Sequence, residues 1–253
     1  MDKDKILFVV DPGHGGNDPG AVANDIKEKD ANLVEALAIR DELKTYEDVD
    51  VIMTRSTDKT LSLSARVKLA NKYVGDYETV VFICNHKNAG GGNGLEIYGN
   101  TKNAQAKKLA AAIGKQVKAI GQNHRSPLFK DGMGLYVIKN TDMTAILIES
   151  AFLDNKEDVK IIDTKAEQKA FGVAIAKGIA DAYDLKKKDE KVLKKGAKCK
   201  IKSSAKDLNT GKKYSDFVYE RTYTVISISG DRVVFGLNGA VTGATDKSNI
   251  KLV

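Results

Sequence analysis

Six apolar runs of strand length punctuate the first 185 residues: ILFVV (6–10), VDVIMT (49–54), TVVFIC (79–84), GLEIYG (94–99), LYVI (135–138) and AILIE (145–149). Between them the spacing changes. Ala106, Leu109, Ile113, Val117 and Ile120 recur every three or four residues, as do Phe171, Ile175, Ile179 and Ala182, so each set lays one apolar stripe along a helix. Residues 28–47 and 62–74 also fit helices. Strands that alternate with helices join in parallel and bury both sheet faces. The pattern predicts an α/β domain with a mainly parallel six-stranded sheet and helices on both faces.

Charge divides the chain in a different place from hydrophobicity. Residues 186–253 hold 16 basic and 7 acidic residues, a net of +9, while residues 1–185 hold 25 basic and 27 acidic, a net of −2. The run KKKDEKVLKK (186–195) marks the seam and reads as an exposed basic linker. The expected organisation is a catalytic domain over 1–185, the linker over 186–195 and a small all-β domain over 196–253. In the last of these, CKIKSS, FVYERTYTVISIS and RVVFGL are β-branched and aromatic runs. Turn signals at Asn209–Gly211, Gly230–Asp231 and Asn238–Gly239 separate them. Alternation breaks at Val225 and Ile226, which predicts a bulge or a shift of register there. The two cysteines, Cys84 and Cys199, are far apart and offer neither a disulfide framework nor a cysteine zinc cluster.

In open α/β sheets chemistry collects where strands end. His14 follows the first run in VVDPGHGGNDPG, and His86 follows the third in FICNHKNAGGG. Both sit beside glycines that let the backbone approach closely. Glu149 closes the last run. His124, in GQNHRSP, has no such setting and is placed on the surface. A catalytic zinc takes three His, Glu or Asp ligands and keeps one position open. His14 and His86 supply two. Glu28, which opens the first helix in EKDANL, is the best third candidate, with Asn32 one turn later to orient it. Glu28 also fits as an acidic residue favoured by the helix dipole, and Asp11, Asp18 and Glu96 are fallback ligands. With zinc lowering the pKa of a water and polarising a carbonyl, no serine or cysteine nucleophile is needed, and Glu149 can carry the proton.

The segments DPGHGGNDPGA, EKDANL, MTRSTDKTLSLSARVKLAN, NHKNA and ILIESAFLDN, in this order across residues 5–184, resemble the zinc-dependent N-acetylmuramoyl-L-alanine amidases of the amidase 3 family. The resemblance implies that His14, Glu28 and His86 bind zinc and that Glu149 is the catalytic acid/base rather than a ligand. It implies a peptidoglycan substrate, cut between N-acetylmuramic acid and L-alanine by a zinc-activated water. Cys84, Asn85 and Lys87 depart from the family pattern of Ser, an apolar residue and Ala around the second histidine, and Thr144 stands where proline is usual. Cys84 lies on the strand face of His86, as a thiolate ligand or as a small buried residue. Lys87 is expected at the rim of the site.

Residues 196–253 resemble the bacterial SH3-like barrels that target lytic enzymes to cell walls. Their lysines suggest anionic wall polymers of a Gram-positive host as partners rather than nucleic acid, because no clear stacking platform accompanies them. Nothing in the pattern fixes an oligomeric state. ILFVV is too short for a signal peptide core or a membrane span. The expectation is a soluble chain made in the host cytoplasm, not inserted in a membrane, that reaches the wall after holin-type release. A phage endolysin fits that route, as does a host autolysin; a zinc peptidase acting on stem peptides is the other enzymatic alternative.

Overall fold

In the computed structural model, which describes residues 4–188 and 192–253, the contacts divide the chain between residues 188 and 189 into two units. The first runs through β1 (Ile6–Pro12), the short hairpin β2 (Val22–Ala23) and β3 (Ile26–Lys27), α1 (Glu28–Leu43), β4 (Val49–Met53) and α2 (Leu63–Asn71). It continues with β5 (Thr79–Asn88), β6 (Leu95–Gly99), α3 (Ala104–Ala119), β7 (His124–Asp131), α4 (Tyr136–Lys139), β8 (Thr144–Phe152), α5 (Lys156–Val159) and α6 (Lys165–Ala182).

Six of these strands form one mixed sheet in the order β4-β1-β5-β8-β6-β7. The pairs β1–β4, β1–β5, β5–β8 and β6–β7 are parallel, and only β6–β8 is antiparallel. The central strands read as unbroken apolar runs because they are covered twice. Phe8, Val10, Ile83, Ile146 and Ile148 face α1, α3 and α6, whereas Leu7, Val9, Phe82, Cys84 and Leu147 face α2 and α4. Helix starts follow local capping chemistry: Asn103 caps α3 by accepting from Ala106 N, and Thr164 with Glu167 builds a capping box on α6. Two glycines let α6 lie close to its neighbours. A Cβ at Gly172 would stand 2.4 Å from the Glu35 carbonyl of α1, and one at Gly178 would stand 2.4 Å from Ile113 Cα of α3.

The sheet has the expected six strands, but one of them is not the expected segment. LYVI (135–138) forms part of the helical turn α4, with Val137 and Ile138 both buried against the sheet. A four-residue apolar run carries no period that separates strand from helix. The sixth strand is β7, HRSPLFKD, largely exposed at the sheet edge. Charge and proline there are ordinary for an edge strand and hide it from an apolar-run reading.

The second unit is a five-stranded antiparallel sheet ordered β12-β11-β10-β9-β13. It comprises β9 (Lys198–Ile201), α7 (Asp216–Glu220), β10 (Tyr223–Ser229), β11 (Arg232–Leu237), β12 (Ala240–Asp246) and β13 (Ile250–Leu252). Cys199, Tyr223, Val225, Val233 and Phe235 form its core. The break in alternation corresponds to a register shift between Val225 and Ser227. Asn238 and Gly239 both take positive φ, at 49° and 84°, as a tight two-residue hairpin requires. FVYE, expected to begin a strand, is the helix α7, so only Tyr223 onward joins the sheet. At the expected linker, Lys186 accepts from Glu47 N and Lys188 N donates to Thr45 O, so 186–188 belong to the first unit. Residues 189–191 of that segment lie outside the described residues. Among the described residues no helix is long and apolar enough to cross a membrane.

Candidate metal centre and active site

Strand β1 ends at Pro12, and the chain turns through Gly13 into His14, whose φ of 59° is in the left-handed region. That conformation costs energy for a non-glycine residue and is held from outside. Two buried guanidiniums do this. Arg55 donates to Pro12 O at 3.0 Å, to Gly13 O at 2.8 Å and to Lys29 O at 2.9 Å. Arg66 donates to Pro12 O at 2.6 Å, to His14 O at 2.7 Å and to the Asp11 carboxylate at 2.7 Å. The loop carbonyls thus end on fixed charges rather than on water, which makes the His14 position rigid.

Glu28, first residue of α1, stands between the two histidines. His14 Nε2 lies 3.1 Å from Glu28 Oε2, and His86 Nδ1 lies 2.9 Å from Glu28 Oε1. One ligand atom from each of His14, Glu28 and His86 falls within 4.8 Å of the others. Surrounding donors aim the carboxylate: Asn32 Nδ2 donates to Oε1 at 3.2 Å, Lys87 N to Oε1 at 3.0 Å and Ala21 N to Oε2 at 2.9 Å. Asp18 accepts from His14 Nδ1 at 2.8 Å. This contact holds a proton on Nδ1, so Nε2 is the nitrogen that would be offered to a metal once its own proton is displaced. Two glycines make room for the rings. A Cβ at Gly13 would stand 2.2 Å from His86 Cε1, and one at Gly20 would stand 2.7 Å from His14 Cδ2.

The electrostatics of the cluster fit a cation. Burial opposes charge on His14, yet the hydrogen bond and charge of Glu28, with help from Asp18, raise its pKa to about 9. Burial opposes ionisation of Glu28, yet its bonds to His14 and His86 hold it far below the usual carboxylate range. Without a metal, the proton on His14 supplies positive charge that the carboxylate demands. Two imidazoles and one carboxylate are the donor set of a catalytic zinc site, with room for a fourth ligand.

Glu149 ends the apolar part of β8 directly beside His86 in the sheet register. Its Oε2 is buried and has no hydrogen-bond partner. Burial raises its pKa to about 7, with His86 opposing and Glu28 adding to the rise. An unpaired buried carboxyl oxygen is costly and marks a group kept for a reacting partner. Glu149, His14 and His86 open onto one cleft of about 450 Å³, whose other walls include Leu61 and Leu63 near the α2 N-terminus and Leu135, Tyr136 and Val137 around α4.

The Amidase_3 family, N-acetylmuramoyl-L-alanine amidase, matches residues 8–181, more than half of the chain. The protein belongs to this family. It is 34% identical over 188 residues to the N-acetylmuramoyl-L-alanine amidase CwlM of Bacillus licheniformis, covering 72% of this chain and 70% of that one. It is 36% identical over 190 residues to the endolysin of Bacillus phage SPP1, covering 72% and 68% respectively. Among solved structures, the catalytic domain of the amidase CwlV from Bacillus (Paenibacillus) polymyxa superposes with a TM-score of 0.63 at 32% identity, over 72% of this chain and 99% of that one. The His14–Glu28–His86 cluster of this amidase is consistent with the zinc site of the family.

The other candidate residues have different tasks in the amidase. Asp11 is buried, accepts from Thr54 and Arg66, and anchors the loop rather than joining the ligand cluster. Asp18 orients His14 from its far nitrogen. Glu96 pairs with Arg125 and Lys130. Cys84 is buried and its thiol donates to Asp11 Oδ2 at 3.0 Å; burial pushes that thiol well up and Asp11 adds to it, so a thiolate ligand does not fit. His124 is exposed, as expected. Lys87 is not at the rim. Strand β5 continues to Asn88, so alternation turns Lys87 to the face opposite His86, where its Nζ donates to Glu35 Oε2 at 2.7 Å with both side chains fully buried. Arg55 and Arg66, which hold the His14 loop, are visible in the sequence only as an arginine-containing segment; their partners in residues 11–14 lie 42 to 55 residues away.

Proposed function

We propose that this amidase binds zinc through His14, Glu28 and His86 and hydrolyses the amide between N-acetylmuramic acid and L-alanine with Glu149 as the proton carrier. The observation that carries this reading is the convergence of three ligand atoms within 4.8 Å beside a buried, unpartnered Glu149 oxygen on one cleft. Zinc held there supplies Lewis-acid polarisation of the lactyl carbonyl and acidifies the attacking water. Glu149, with a pKa near the working range, accepts a proton from that water at Oε2. It then returns the proton to the alanine nitrogen as the C–N bond breaks, so the amine leaves neutral. His14 stays fixed throughout, through Asp18 and the arginine-held loop. The apolar wall of Leu61, Leu135 and Val137 excludes water from the far side of the substrate.

The test separates the two roles. Glu28→Ala loses zinc in elemental analysis together with activity, whereas Glu149→Gln keeps zinc and loses at least about 100-fold in turnover. Full zinc occupancy in Glu28→Ala, or near-normal turnover in Glu149→Gln, overturns the assignment.

The biological setting we infer is lysis of a Gram-positive host by a phage endolysin released through a holin. The likeness to the SPP1 endolysin and the arrangement of a catalytic unit followed by a small basic one support it. The likeness to CwlM supports the autolysin role as a second reading. Expression in a Gram-positive host distinguishes them: the endolysin reading requires lysis with a co-expressed holin and none without it. The second unit is read as a wall-binding module for anionic polymers, supported by its charge.

A further inference from the structure

The strand beside Glu149 carries another carboxylate with no part in the reaction above. In the antiparallel β6–β8 pair Glu96 lies directly opposite Glu149, on the same face of the sheet. Its side chain is 4% exposed and gathers two cations on one oxygen, Arg125 Nε at 2.9 Å and Lys130 Nζ at 2.5 Å. The other oxygen accepts from the Tyr98 hydroxyl at 2.9 Å and from Asn88 Nδ2 at 3.2 Å. Aromatic faces hold the cations as well: Arg125 lies 5.6 Å from the Phe152 ring centroid and Lys130 lies 5.7 Å from that of Tyr98. Two cations share one buried carboxylate, and both reach solvent, with side chains 41% and 28% exposed. A net positive charge is therefore fixed in place one strand beyond the proposed proton carrier.

One strand spacing lies within the span of a dipeptide. Neighbouring strands lie about 4.8 Å apart, and an extended peptide advances about 3.3–3.6 Å per residue. With the alanine amide seated at Glu149, a carboxylate on the next stem-peptide residue, about 7 Å away, comes within reach of the two cations. We propose that Arg125 and Lys130, pinned by Glu96, form the subsite for a free carboxylate on the second residue of the stem peptide. Resting on the reaction proposed above, it directs the peptide across β6 and leaves the glycan side to the apolar cleft.

The probe is a pair of muramoyl tripeptides, both amidated at the C-terminus, that differ only at the second residue: a free α-carboxylate in one, a carboxamide in the other. The native zinc enzyme is expected to favour the carboxylate by about tenfold in kcat/KM, mostly through KM, the size of one charge-assisted contact. Arg125→Gln leaves Lys130 on Glu96, so the buried charge keeps a partner, and the preference is expected to shrink. The triple substitution Glu96→Gln, Arg125→Gln, Lys130→Gln removes the anchor and both cations together, and the ratio is expected to fall to about one. Equal cleavage of the two tripeptides by the native enzyme, or an unchanged ratio in both variants, overturns the subsite. Release of alanine-headed peptide from either probe shows that the amidase reaction stands; failure to cleave both overturns the reaction and the subsite with it.

Discussion

Gly13→Ala is a one-methyl test of how the site is held. Gly13 does not occupy a positive-φ conformation, so alanine fits its backbone, and the effect of the substitution is steric. The added Cβ would stand 2.2, 2.3 and 2.6 Å from Cε1, Nε2 and Nδ1 of His86. Ordinary contact begins at about 3.4 Å, so the ring or the loop must yield by about 1 Å. The loop is fixed by Arg55 and Arg66, which donate to Pro12, Gly13 and His14 carbonyls, so the His86 ring is the part that moves. Displacement of about 1 Å in a catalytic constellation costs on the order of 100-fold, or about 2.7 kcal/mol. Zinc affinity by competition with a chelator and kcat/KM on a soluble muropeptide are both expected to fall by about that factor. Gly134→Ala, where a Cβ meets nothing within 4 Å, is the control and stays within about 0.5 kcal/mol in stability. Native zinc affinity and native activity in Gly13→Ala refute the claim that Gly13 exists to admit the His86 ring.

Three further outcomes follow from the same structure. Lys87→Met strands the fully buried Glu35 carboxylate and is expected to cost about 3–5 kcal/mol in denaturant unfolding, most of it regained in Lys87→Met with Glu35→Leu; a single variant as stable as the native protein refutes the buried pair. Because His14 has a pKa of about 9 without metal, zinc must displace its proton below that pH, so affinity is expected to rise about tenfold per pH unit up to about 9 and then level off. Calorimetry at pH 7.5 in buffers of different ionisation enthalpy checks this as the release of about one proton on zinc uptake, and zero release contradicts it. A protein ending at Lys188 is expected to cleave soluble muropeptides at the native rate, since every proposed catalytic residue precedes that point, and to clear intact walls more slowly, by a margin that narrows as salt screens the second unit; equal wall clearance at low salt removes the targeting role.

What the sequence made legible follows from what each residue's neighbours are. Strands β1, β5 and β8 are covered on both faces, so their apolar runs stand out, and the helical stripes of α3 and α6 need only local spacing. Edge strand β7 carries Pro127 and five of its eight residues exposed, so nothing local marks it, while LYVI was too short to reveal its turn. His14 and His86 were visible because glycine-flanked histidines at strand ends are unusual in this chain, and Glu28 because it opens a helix nearby. The support beneath them was not, since Arg66 meets Asp11 across 55 residues and Lys87 meets Glu35 across 52. The end of β5 matters most: an apolar run that stops at Cys84 implies Lys87 at the rim, whereas the strand extends to Asn88 and buries Lys87 against Glu35 of α1.

The proposed reaction cuts the bond between the lactyl group of N-acetylmuramic acid and L-alanine with zinc at His14, Glu28 and His86. Digestion of purified peptidoglycan, with amino-terminal labelling and reducing-sugar assay of the same products, tests it most directly. New amino termini are expected to be alanine alone, reducing ends are expected not to increase, and both the digestion and its alanine signal are expected to vanish on chelation and return with zinc. New amino termini on any other residue, or a rise in reducing ends, would contradict it and identify a peptidase or a glycosidase instead.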